Sequence, residues 1–212
     1  MKRLLAALAI AGLSGCAERP AVPDWLLTAD AAIGNHVRYH LEGRDRLAAG
    51  QLAIARNEVA RTGDATQMAR IELHACAARV ASLESGDCPG FLTLAADAAA
   101  AENAYAAYLA GNVTVDVDLL PKMQQLAWRD PARLEAIADP LSRLLAAALL
   151  WRDGRLSPAG IALAIESAAG QGWRRPLLAW LLVERQRLEK IGDSAGLSTV
   201  DRRLRRISGE QP

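Results

Sequence analysis

Aromatic residues are scarce in this chain: they make up 4% of its 212 residues, with a single Phe. Strands are filled by aromatic and β-branched residues, so their scarcity argues against an all-β fold. Charge of either sign is not in excess. There are 25 Lys and Arg against 24 Asp and Glu, a formal net charge of +1, and two of the cations are Lys2 and Arg3 at the extreme N-terminus. A near-neutral chain lacks the electrostatic footprint of a general nucleic-acid binder. No uncharged apolar stretch approaches the ~20 residues that a membrane-spanning helix needs. Also missing are a Gly-rich phosphate loop, a Gly-x-Ser-x-Gly nucleophile elbow and a His-Glu-x-x-His pair, which weakens the case for an enzyme. What is abundant is Ala and Leu, within a hydrophobic content of 51%. These residues lose little side-chain entropy in a helix, and the expected class is all-α.

The first residues follow a secretory pattern, with Lys2 and Arg3 before an apolar run from Leu4 to Leu13 and then small residues. Leu13-Ser14-Gly15-Cys16 resembles the lipobox of bacterial lipoproteins. The resemblance implies a signal peptide over 1–15, cleavage between Gly15 and Cys16, a diacylglycerol on the Cys16 thiol and an acyl chain such as palmitate on the new amino terminus. Ala17 stands where lipoproteins retained in the inner membrane commonly carry Asp, so the implied address is the periplasmic side of the outer membrane. Residues 16–23 form the expected tether. The seven residues from Ala17 to Pro23 reach roughly 25 Å when extended, which keeps the folded part close to the membrane.

Helical punctuation then recurs from 24 to 208, the expected domain, with 209–212 as a disordered tail. Asp24 is placed to cap a helix starting at Trp25, and Asp64 with Gln67 has capping-box spacing. Asp130-Pro131, Asp139-Pro140 and Ser157-Pro158 each set a capping side chain before a Pro at the first helical position. Gly154, Gly170 and Gly192 are the expected stops. The pattern predicts about nine helices in a layered or superhelical array, with loops at Glu84 to Gly90 and Gly111 to Asp116. Between Asp64 and Leu83 two apolar stripes share one helix: Leu73, Cys76, Val80 and Leu83, and Met68, Ile71, Ala75 and Ala78. A helix with two apolar faces has neighbours on both sides. The stretch from Leu144 to Ile191 resembles the paired-helix spacing of tetratricopeptide-type repeats, which implies stacked helix pairs.

Three Cys are present. Lipidation of Cys16 leaves Cys76 and Cys88 in an oxidising compartment, where an even remainder predicts a disulfide worth on the order of 3 kcal/mol. His36 and His40 are one helical turn apart, the spacing of two metal ligands, with His74 the only possible third imidazole. The bland alternative is a polar face with two solvated rings, and no metal or other cofactor is expected. Ala162-Leu163-Ala164-Ile165-Glu166-Ser167 resembles the Glu-Ser segment of lytic transglycosylases, which would make Glu166 a general acid, although that family's downstream Gly-Leu-Met-Gln is replaced here. Arg202, Arg203, Arg205 and Arg206 lie opposite the apolar row Leu197, Val200, Leu204 and Ile207, and with Arg174, Arg175, Arg185 and Arg187 they tilt the C-terminal part positive. They are the candidate surface for an acidic protein partner. Trp151, Trp173 and Trp180 are expected in the core. The resulting expectation is a lipid-anchored, non-enzymatic adaptor or scaffold of the cell envelope, touching the membrane through Cys16 and a protein partner, but no nucleic acid.

Overall fold

The computed structural model describes residues 22–84 and 87–209. Residues 1–15, Cys16 and most of the tether, together with 210–212, lie outside the described residues. Ten α-helices follow one another: α1 (Asp24–Glu42), α2 (Asp45–Ala60), α3 (Ala65–Ala81), α4 (Pro89–Leu92), α5 (Ala100–Leu109), α6 (Lys122–Arg129), α7 (Pro140–Arg152), α8 (Pro158–Gly170), α9 (Arg174–Ile191) and α10 (Ser194–Ser208). Two 3-10 turns, Val117–Leu119 and Pro131–Ala136, flank α6. The described residues contain no strand, and the class is all-α.

Several of these elements begin where local chemistry predicts. Asp64, Asp130, Asp139 and Ser157 each accept a hydrogen bond from a backbone N–H in the first turn that follows, meeting one of the donors that a helix start leaves unpaired. Asp130 opens a 3-10 turn rather than an α-helix. Two expectations shift. Asp24 is the first residue of α1, and Pro23 occupies the cap position with its carbonyl accepting from the N–H groups of Leu26 and Leu27. Gly170 is still helical, and the reversal comes at Gly172, whose φ of 67° is the left-handed conformation that glycine adopts freely.

The centre of the fold is α3, which touches α1, α2, α4, α5 and α7. Its two stripes enter two separate cores. Leu73, Cys76 and Val80 join the larger one with α5, α7, α8 and α9, while Ile71 and Ala75 join Ala29, Ala32, Ile33, Ala55 and Val59 of α1 and α2. From α7 to α10 each helix packs on the next, and α9 returns to α1. Arg175 fastens that closure: its Nε donates to the His40 carbonyl at 2.7 Å, and its guanidinium pairs with Glu84 and Asp45. Cys76 and Cys88 form a disulfide with a Cα separation of 5.5 Å, joining α3 to the entrance of α4.

The end of α3 carries backbone strain. Leu83 has a φ of 61°, a conformation few branched side chains adopt. That turn delivers Glu84, whose carbonyl accepts from Arg152 and whose carboxylate meets Arg175, so one residue links α3 to α7 and α9.

Candidate functional site

The two histidines of α1 do not form a solvated polar face. His36 and His40 are both buried, with ring centroids 6.1 Å apart. Nδ1 of His36 shares a hydrogen bond with the Ala48 carbonyl at 2.8 Å. His74 is separated from them, on another face of α3. Among the described residues no three His, Cys, Asp or Glu side chains converge on a point where a metal ion would sit. Burial, reinforced by the charge of Arg175 and by His36, lowers the His40 pKa to about 4. Glu84 Oε1 stands 3.2 Å from its Nε2 but out of line for a hydrogen bond. Because the folded pKa lies below the unfolded value of about 6.5, the unfolded chain takes up the proton first, and stability drains away as pH falls from about 6.5 to 4. Thermal melts across that window should show a falling midpoint, with a shallower slope in His40→Gln. An unchanged slope in the variant would assign the acid sensitivity to other groups.

Beside these rings, Glu72 takes a two-pronged salt bridge from Arg56, Nε to Oε1 at 2.6 Å and Nη2 to Oε2 at 2.8 Å. The fold holds this pair closely. A Cβ on Gly90 would lie 1.9 Å from Glu72 Oε2, so a larger residue there would push the carboxylate off its pairing with Arg56.

The other sequence candidates fall on separate surfaces. Glu166 is exposed on α8 and lines neither of the two large grooves described below. A general acid needs a desolvated, walled position. Its neighbour Ser167 is buried and serves the fold, donating to the Leu163 carbonyl and accepting from Arg143. Trp180 is fully buried and Trp173 packs on the core, whereas Trp151 is 40% exposed. On α10, Arg202, Arg205 and Arg206 are exposed and Arg203 is half-buried, while Leu197, Val200, Leu204 and Ile207 pack inward. None of these four arginines forms an ion pair with a described residue, in contrast to Arg175, Arg185 and Arg187.

Sequence reasoning missed a groove of about 560 Å³ between α3, α5 and the segment from Leu119 to Leu145. Leu73, Ala77, Leu120, Leu141 and Leu145 make its apolar lining. Its floor is pinned by polar ties: the Tyr108 hydroxyl donates to Gln124 Oε1 at 2.8 Å, and Gln124 Nε2 donates to the Ser142 carbonyl at 3.1 Å. A second groove of about 550 Å³ runs between α1 and α3 and shares Arg70, His74 and Leu141 with the first. His74 is exposed at the groove wall, and partial desolvation there lowers its pKa, so it is neutral at pH 7. Burial likewise raises the Tyr105 pKa and keeps its hydroxyl protonated.

Compared with known protein families, characterised proteins and solved structures, the chain matches none.

Proposed function

We propose that the mature chain is a lipid-anchored envelope protein, held through Cys16 on the periplasmic side of the outer membrane, that acts as a non-enzymatic adaptor by presenting α10 to an acidic partner. The observation that carries this reading is the unpaired basic face. Arg202, Arg203, Arg205 and Arg206 ion-pair with no described residue, on a helix whose apolar row is anchored to the core and whose Asp201 is tied to Arg185 at 2.9 Å. A rigid helix with four unspent cations offers planar, bidentate hydrogen-bonding forks to carboxylates or phosphates. The Cys76–Cys88 disulfide fits the oxidising compartment that the signal sequence implies.

The test is the quadruple Arg→Gln variant at 202, 203, 205 and 206. Capture of the partner from detergent-solubilised envelopes should fall at least tenfold and should weaken with salt, as the Debye length contracts from ~10 Å at 0.1 M to ~3 Å at 1 M. Helicity and melting should stay almost unchanged, because exposed charges contribute ~0–1 kcal/mol to folding. Capture that persists in both the variant and high salt would leave α10 as a solvated helix face.

A further inference from the structure

Glu102 sits in the wall of the first groove and is only 8% exposed. Its Oε1 accepts from Arg70 Nε at 2.7 Å, but Oε2 is closed to solvent and accepts nothing. Arg56 and Glu72 make an internal contrast: there the same two residue types meet with both prongs, and each carboxylate oxygen has its donor. At Glu102 one prong is missing. A buried acceptor without a donor bears its full desolvation penalty, so this oxygen marks an unmet hydrogen bond in a cavity wall.

The charge around it has a sign. Glu102 and Asp139 line the groove against the single guanidinium of Arg70, and Asp30 adds a further carboxylate where the second groove joins it. His74, neutral at pH 7, does not offset them. The remaining surface is largely apolar, and the volume of about 560 Å³ falls in the ~300–1,000 Å³ range of small-molecule sites.

We propose that this groove binds an apolar body carrying a protonated amine, whose ammonium donates to Glu102 Oε2 while its hydrocarbon part lies on Leu73, Leu141 and Leu145. Arg70 is the movable member. Its side chain is 53% exposed, and its rotation together with the carboxylate admits the ammonium to the oxygen now closed off. The amine belongs either to a free small molecule or to a lysine side chain of an apolar peptide. This site is independent of α10 and of the lipid anchor.

The test is titration of the full chain with hexylamine at pH 7, followed by NMR of the Tyr105 and His74 rings, with 1-hexanol and hexanoate as equal-length controls. Saturable shifts are expected for hexylamine, with affinity at least tenfold weaker for both controls and for hexylamine on Glu102→Gln. Ala101→Phe supplies the second variant: it adds bulk at an exposed position lining the groove, and it should abolish the shifts without lowering the melting temperature. A capped leucine–lysine–leucine peptide that binds at least tenfold more tightly than hexylamine would identify the peptide source, and the reverse order the free amine. Hexanol binding as well as hexylamine, or hexylamine binding undiminished by either variant, would overturn the assignment.

Discussion

Cys16→Ala is expected to leave a protein that is no longer membrane-bound and that runs at a different mass, because the acyl chains are missing. Each buried methylene contributes ~0.8 kcal/mol, one acyl chain alone holds a protein only marginally, and a diacylglycerol with an added amide-linked chain makes release negligible. Nothing else described replaces them, since no helix of the described residues is long and apolar enough to cross a membrane. The basic face of α10 is a competing source of affinity, at ~1 kcal/mol per Arg beside an anionic surface, and salt removes that contribution. Fractionation should therefore be repeated after a 1 M salt wash. Retention of Cys16→Ala through the wash would defeat the lipid-anchor reading, whereas retention only at low salt would transfer the α10 arginines from a protein partner to the lipid surface.

What the sequence made legible was chemistry that acts over a few residues. Asp64, Asp139 and Ser157 meet backbone N–H groups three residues on, so their geometry depends on local sequence alone. The two stripes of α3 were readable for a related reason: helical periodicity fixes which side chains share a face, and each face found its own core. The Cys76–Cys88 bridge followed from counting. Periodicity does not say what covers a face. His36 and His40 do point the same way, yet the closing of α2 and α3 over them turned a metal-ligand spacing into two buried neutral rings.

The groove was invisible for a stronger version of the same reason. Arg70 and His74 come from α3, Glu102 and Tyr105 from α5, and Gln124 and Asp139 from α6 and the entrance of α7. The α3 residues lie far from the others in the chain, and only the packing of α3 against α5 and α7 brings them together. The available hint was weak: Glu102 and Tyr105 are three residues apart on an otherwise Ala-rich helix, a polar face with no obvious reason to exist. Glycine was ambiguous in its own way. Gly170 and Gly172 are equally good stops by composition, and the reversal falls at the second, whose left-handed turn lets the Trp173 N–H reach the Ala168 carbonyl at 3.0 Å.

Trp180→Ala is expected to produce the largest loss of stability of any single core change. The indole is fully buried where α9 meets α3 and α7, its ring 6.4 Å from that of Trp151 in an edge-on contact and its Nε1 donating to the Ala81 carbonyl at 3.3 Å. Truncating a buried Trp to Ala costs about 3–5 kcal/mol, because the lost transfer free energy is compounded by the cavity left behind. At about 2–4 °C per kcal/mol for a domain of this size, the melting temperature should drop by about 6–20 °C. The position is costly for a topological reason as well, since α9 also carries Arg175, which ties α1 to the rest of the fold. Trp180→Phe keeps most of the apolar volume but deletes the donor, and should lose an intermediate amount. Trp151→Ala, at a residue 40% exposed, should lose clearly less than Trp180→Ala. Equal losses at the two positions would mean that the Trp151 side of the edge-on contact carries as much of the packing energy as the buried indole of Trp180.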